Sequence, residues 1–335
     1  MASKITDIIQ RIDGKLHANR KLQFFDFIGD VHGHANELEM LLSQLGYQLK
    51  NNVWYHSNYK AVFVGDFISR GPESRKVLKI VRSMVENKSA YAILGNHEIN
   101  AICYFTKRQN GLPIRIPGPA NKKMLDKIKG EYPNIHELEN DIKWLRKLPL
   151  YYDFKYVRVV HAYWSNSHIE LLNGAMPETK LKRKFLREVF RGGTAISKAF
   201  MQTIKGVEFC FPHNLVIKDN LGIRRVCYRV KWWQTPNNKT FEELSFETKL
   251  TLPNDQVPLH LVSEYEVYGP NEPPVFIGHY CTETGQSVAS GNVCCVDTCV
   301  AGGGPLSAYR WEGERALSGD KVRSVGRTGP ARPQG

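Results

Sequence analysis

Apolar residues in the first hundred positions alternate between two spacings. The runs LQFFDFI (22 to 28), AVFV (61 to 64) and AYAIL (90 to 94) are almost wholly apolar and predict buried strands. Between them, ANELEMLLSQLGY and ESRKVLKIVRSMVEN space their apolar residues helically. This β-α-β-α-β rhythm predicts a layered α/β domain. Each run ends in a glycine followed by a polar residue, at Gly29-Asp30, Gly65-Asp66 and Gly95-Asn96. Polar side chains are thereby placed just beyond the C-terminal ends of buried strands, where ligand sites of open α/β sheets collect.

A Gly/Pro-rich stretch, NGLPIRIPGPANKK (110 to 123), breaks the rhythm before a helix over HELENDIKWLRKL (136 to 148) and an apolar run, KYVRVV, ending at His161. From about 165 to 270 the pattern weakens, which reads as an insertion or cap over the site. Regular structure resumes in PPVFIGHY, NVCCVD and PLSAYRW, three short strands. The helically spaced isoleucines of residues 1–20 read as an N-terminal helical extension. The principal domain spans 21–317, and 318–335, rich in Gly, Pro, Ser and Arg, reads as a disordered basic tail.

Composition narrows the function classes. With 335 residues, 42% hydrophobic and 24% charged, the chain is long enough for a sizeable core. No stretch approaches the roughly 18 apolar residues of a membrane span, and the N-terminus lacks the apolar run of a secretory signal, so a cytoplasmic location is expected. The seven cysteines form no CxxC pair and read as reduced thiols, with Cys294, Cys295 and Cys299 as small buried residues rather than a metal cluster. A net charge of +13 suits an anionic substrate. The basic residues are dispersed, without a helix-turn-helix or zinc-finger pattern, so neither nucleic acid nor membrane is an expected partner.

The candidate chemistry lies in an accumulation. Asp30 and His32 of GDVHG are two apart and can face one ion together. Asp66 of GDFISRG, Asn96 and His97 of LGNHE, His161 of VVHAYW and His279 of FIGHY each follow an apolar run. Any single histidine here is unremarkable, but the set exceeds what one metal needs and suffices for a pair bridged by a carboxylate.

Taken together, GDxHG, GDxxxRG, GNHE, H and GH resemble the calcineurin-like metallophosphoesterase superfamily, phosphoprotein-phosphatase type, from about Phe24 to Trp311. The closing FIGHY and GGGPLSAYRWEGE look like bacterial members related to diadenosine tetraphosphatases and serine/threonine phosphatases. The resemblance implies a four-layer αββα sandwich and two divalent metal ions, manganese, iron, zinc or similar. Asp30 and His32 would bind the first, Asp66 would bridge both, and Asn96, His161 and His279 would bind the second. The ions would activate a bridging water for in-line attack on phosphorus. Arg70 would hold phosphate oxygens, and His97 would protonate the leaving oxygen. The implied activity is hydrolysis of a phosphate ester or phosphoanhydride. Candidate substrates are a dinucleoside polyphosphate or other phosphorylated small molecule or, alternatively, a serine/threonine phosphoprotein. An inactive phosphate-binding regulatory module is the non-enzymatic alternative.

Two positions depart from the pattern. Many relatives read GDxxDRG, whose second Asp charges the GNHE histidine, where this chain has Ser69. A weaker acid at His97 is therefore expected, which favours anhydride substrates with good leaving groups. HAYW replaces the common HAG, so Tyr163 and Trp164 are expected to reshape the site wall. Trp232 and Trp233, flanked by Arg224, Arg225, Arg229 and Lys231, would either stack a nucleobase or pack inward. Glu98 is assigned only helix support.

Overall fold

The computed structural model describes residues 22–176, 180–210, 217–218, 224–246, 252, 254–258, 265–282 and 287–326. The predicted N-terminal helix lies outside this set.

Along the chain come strand β1 (Phe24–Ile28), helix α1 (Ala35–Gln44), β2 (Tyr59–Phe63), α2 (Ser74–Glu86), β3 (Ala90–Ala92) and α3 (Asn96–Phe105). Helices α4 (Pro119–Gly130) and α5 (Ile135–Leu145) precede β4 (Tyr151–Asp153) and β5 (Arg158–Val160). Helices α6 (Asn166–Ala175), α7 (Arg183–Arg191) and α8 (Ala195–Lys205) follow, and β6 (Val275–Ile277), β7 (Val288–Ser290), β8 (Val293–Cys295), β9 (Leu306–Trp311) and β10 (Val322–Val325) close the fold.

Two five-stranded sheets result, ordered β10-β9-β1-β2-β3 and β7-β8-β6-β5-β4. In the first, β1, β2 and β3 run parallel; in the second, β5, β6 and β8 do. The sheets face each other across Phe25, Phe27, Val62, Val159, Phe276, Cys294 and Trp311. At the centre the fully buried rings of Phe27 and Phe276 stack at 3.8 Å. The outer face of the first sheet offers Ile28, Ala61 and Phe63 to Leu38 and Leu41 of α1 and Val77, Val81 and Met84 of α2. Those helical positions recur every three or four residues, which is why the segments fold as helices on a sheet.

The expected four layers are present. The layer over the second sheet is built by described residues between 207 and 268, where Tyr228, Val230, Trp232 and Leu244 cover Val160, Val275 and Ile277. The segment predicted to be a cap thus contributes these side chains to a core. Trp232 donates to the carbonyl of Ala162 at 3.0 Å, so it and the buried Trp233 pack inward and present no open stacking face. Tyr163 and Trp164 are also buried and do not line an open wall; the Tyr163 hydroxyl donates to the carbonyl of Glu266.

Two expectations are corrected. The tail does not begin at 318: β10 pairs antiparallel with β9, and Ser307 and Ser324 hydrogen-bond across them. A partner strand supplies the order that a Gly/Ser/Arg-rich composition hides. The cysteines are not all reduced thiols. Cys210 pairs with Cys227, opposite it in the antiparallel 208–210/227–229 ribbon, and Cys281 pairs with Cys299, brought together where β6 and β8 end. Cys103, Cys294 and Cys295 are free and buried, and Cys294 and Cys295 point to opposite faces of their sheet, as adjacent strand residues must. Among the described residues no helix is long and apolar enough to cross a membrane.

Candidate metal centre

The parallel strands of both sheets aim their C-terminal ends at one edge. Asp30 follows β1, Asp66 follows β2, Asn96 opens α3 after β3, His161 follows β5 and His279 follows β6. Close approach of these loops needs two glycines: a Cβ on Gly95 would lie 2.1 Å from Asp66 Oδ1, and one on Gly278 would lie 2.0 Å from Asp30 Oδ1.

The Asp66 carboxylate sits at the centre. Its Oδ1 accepts the backbone N–H of His97 at 2.8 Å. Its Oδ2 lies 3.5 Å from His161 Nε2 and 3.9 Å from Nε2 of both His32 and His97. Burial would push this carboxyl up, but the imidazoles of His161, His97 and His32 hold it well below the usual carboxylate range. Two of those rings are fixed from behind. His161 Nδ1 is 2.8 Å from the carbonyl of Val64 and His32 Nδ1 is 3.2 Å from that of Ile68, so each carries its proton on Nδ1 and turns Nε2 inward. Asn96 Oδ1 lies 3.2 Å from His161 Nε2, and the His279 ring meets that of His161 edge-on at 5.2 Å.

Asp30 lies within electrostatic range of Asp66 but outside both clusters of ligand atoms that Asp66 joins. Its Oδ2 accepts the His279 N–H at 3.1 Å, while the buried Oδ1 has no protein partner. Burial, with the charges of Asp297 and Asp66, pushes the Asp30 carboxyl well above its ordinary value. A buried carboxylate oxygen without a protein partner, beside the charges of Asp66 and Asp297, fits a cation. Two groups of ligand atoms lie within 4.8 Å of one another: His32, Asp66 and His97, and Asp66, His161 and His279. The second holds Asp66, His161 and His279, three of the four residues that sequence assigned to that position; Asn96 is not in the group. The first places His97 beside His32 and Asp66, where sequence placed Asp30.

Burial holds the His97 imidazole below its ordinary value, with Asp66 opposing and Arg70 contributing. Among the described contacts, Ser69 makes no hydrogen bond to that ring. The Arg70 guanidinium lies within electrostatic range of His32, His97 and Asp297. Arg229 acts likewise on His279, a role that the aromatic-basic run did not reveal.

Sequence reading missed how the loops are held. Glu98 Oε2 accepts the backbone N–H of Asp66 at 2.7 Å and of Gly95 at 2.9 Å, and its Oε1 accepts that of Ile68 at 3.2 Å. Beyond supporting its helix, Glu98 therefore ties the α3 N-terminus to the 65–70 loop. Among the described residues, seven of the twelve non-glycine residues with positive φ ring this site: His32, Asp66, Ser69, Arg70, His279, Cys281 and Cys299. Each costs on the order of 1–2 kcal/mol, so surrounding contacts must impose the conformation.

A two-sheet α/β fold with this edge defines a metallophosphoesterase class, and comparison with known proteins agrees. The chain belongs to the calcineurin-like phosphoesterase family, whose model matches residues 25–190. It is 40% identical over 145 residues to an asymmetrical bis(5'-nucleosyl)-tetraphosphatase of Oceanobacillus iheyensis, covering 41% of this chain and 54% of that protein. It is 25% identical over 295 residues to a symmetrical bis(5'-nucleosyl)-tetraphosphatase of Proteus mirabilis, covering 86% and 94%. The chain spans about half the length of the first relative. Among solved structures, a serine/threonine phosphatase from Saccharomyces cerevisiae aligns with a TM-score of 0.41 at 13% identity, over 93% of this chain and 81% of that one. The family is divalent-metal dependent, and the grouped Asp and His side chains provide for such ions.

Proposed function

We propose that this chain is a two-metal phosphohydrolase acting on the phosphoanhydride of a dinucleoside polyphosphate. The observation that carries the reading is the Asp66 carboxylate faced by three imidazole nitrogens at 3.5–3.9 Å. Asp30, His32 and Asp66 would hold one ion, and Asp66, Asn96, His161 and His279 the other. The mixed oxygen and nitrogen donors suit manganese, iron or zinc. When bound, the ions supply an activated water and neutralise phosphate charge.

The chain's own residues do the rest. Arg70 offers a planar fork to nonbridging phosphate oxygens, and Arg229 adds charge on the His279 side. His97, held by its own N–H on Asp66 Oδ1, delivers a proton to the departing oxygen. Its lowered pKa and the lack of a carboxylate at Ser69 make it a modest acid. A nucleoside phosphate leaving group needs little protonation and a serine alkoxide needs much, so the site suits the anhydride better. The two relatives' names point to the same substrate class.

Incubation with manganese and diadenosine tetraphosphate, beside a phosphoserine peptide, tests this. ADP alone means cleavage at the central anhydride; ATP with AMP means asymmetric cleavage; phosphate released from the peptide, with the dinucleotide intact, makes the chain a protein phosphatase. Asp66→Asn should lower turnover by at least 100-fold, and retained activity would overturn the ligand assignment. From the nucleotide substrate class we infer a cytoplasmic location. Thiol counts on freshly lysed cells test it against the two disulfides: a reducing cytosol keeps cysteines as thiols, so intact Cys210–Cys227 and Cys281–Cys299 bonds in the cell would overturn that location.

A further inference from the structure

Asp297 follows β8 at the same sheet edge as the candidate ligands, is buried, and has no part in the ligand set. The hydrogen bonds of its carboxylate run to backbone. Oδ2 accepts the N–H of Cys281 at 3.0 Å, and Oδ1 accepts the N–H of Cys299 at 3.0 Å. Its carbonyl accepts both the N–H and the hydroxyl of Thr282, at 2.8 and 3.0 Å. The disulfide between Cys281 and Cys299 closes the same junction covalently.

The segment so held is the one that aims His279. His279 has φ 68°, Cys281 has φ 55° and Cys299 has φ 67°, and none of them is glycine. A histidine two residues before the Cys281 anchor cannot keep that backbone by local preference. On its other side its N–H is held by Asp30 Oδ2. The 279–282 turn is therefore suspended between one carboxylate of the metal centre and one outside it.

We propose that Asp297 is a positioning residue of the second metal position: its carboxylate, braced by the Cys281–Cys299 disulfide, holds the 279–282 turn so that the His279 imidazole faces His161 and Asp66. This rests on the metal reading above, and it says which group outside the ligand set that reading requires. Supporting residues of this kind typically change metal affinity by 10- to 100-fold when removed.

The test is manganese binding by equilibrium dialysis, with electron paramagnetic resonance of the exchange-coupled ion pair as the spectroscopic readout. Asp297→Ala should keep one tightly bound ion, weaken the second by tenfold or more, and lose the coupled signal. Asp297→Asn, which keeps one acceptor oxygen, should fall between it and wild type. Replacing both Cys281 and Cys299 by Ser should weaken the second ion by a smaller factor. Wild-type binding of both ions by Asp297→Ala, while His279→Ala loses the second, overturns the positioning role and leaves the metal reading standing. Retention of both ions by His279→Ala overturns the metal reading itself. If Asp297→Ala fails to fold, Asp297→Asn decides: wild-type affinity for both ions, or equal loss of both, refutes the proposal. Unchanged binding in the serine double variant removes the disulfide from the clamp.

Discussion

Replacing Glu98 by Gln separates its charge from its shape. Burial and the Asp66 charge push the Glu98 carboxyl up to about 8 from an ordinary value of 4.5, against the pull of the Gly95 and Ile68 N–H groups. Between those two values the folded chain keeps a proton that the unfolded chain has released, so stability is full below about pH 4.5 and falls as pH rises toward 8. A shift of about 3.5 units at 1.36 kcal/mol each bounds the loss at roughly 5 kcal/mol. Gln cannot titrate. Its oxygen can still accept from Asp66 and Gly95, but its NH2 then opposes the N–H of Ile68, at a cost of about 1–3 kcal/mol. In urea unfolding of the metal-free protein, followed by tryptophan fluorescence, the variant should be less stable by about 1–3 kcal/mol at pH 5. That gap should close or reverse by pH 9, and titrating groups that do not interact with Glu98 cancel in the difference. Parallel stability curves for the two proteins from pH 5 to 9 would refute the reasoning.

Further outcomes follow from other parts of the molecule. Phe27→Ala removes a fully buried ring stacked on Phe276 between the sheets and should cost about 3–5 kcal/mol in urea unfolding; a loss under 1 kcal/mol would mean the two sheets do not depend on that contact. Ser69→Asp places a carboxylate where φ is 75°, a conformation Asp tolerates, and should raise the His97 pKa. Turnover of phenyl phosphate should then rise about tenfold more than turnover of an anhydride, and equal effects on both would remove Ser69 from the argument for substrate class.

The strands and their terminal motifs were legible because a strand buried on both faces must be apolar almost throughout, and a glycine marks where its loop approaches another. All six predicted ligands reach one edge for that reason. Asp297 ends the run NVCCVD in the same way, but Val296 and not a glycine precedes it, so the mark of a closely approaching loop is missing. Helix α4 was hidden behind a Gly/Pro-rich lead, since Pro119 stands at its first turn and only Leu125 and Ile128 are buried on it. Strand β10 and the disulfides depend on which segments meet in space. Neither is a property of local sequence, nor is the inward packing of the aromatics at 163–164 and 232–233, since composition alone does not separate a buried ring from one lining an open wall.

The two carboxylates outside the predicted ligand set solve one problem on opposite sides of the centre. The site needs backbone in conformations that non-glycine residues resist, and such turns leave inward-pointing N–H groups without ladder partners. On the first sheet's side Glu98 collects the N–H groups of Asp66, Ile68 and Gly95; on the second sheet's side Asp297 collects those of Cys281 and Cys299. Neither shares a backbone donor with the other, and at pH 5 Glu98 is protonated and carries no charge to act on Asp66 or Asp30, so the losses in a Glu98→Gln and Asp297→Asn double variant should add to within about 0.5 kcal/mol in unfolding of the metal-free protein at that pH. On the proposed metal reading manganese should change this, because Asp66 lies in both ligand groups and ions held there would make each loop's position depend on the other. Additivity without metal that gives way to coupling with metal would identify the bridge as the link between the two sheets' loops. Coupling of the same size in both states would place that link in the protein alone.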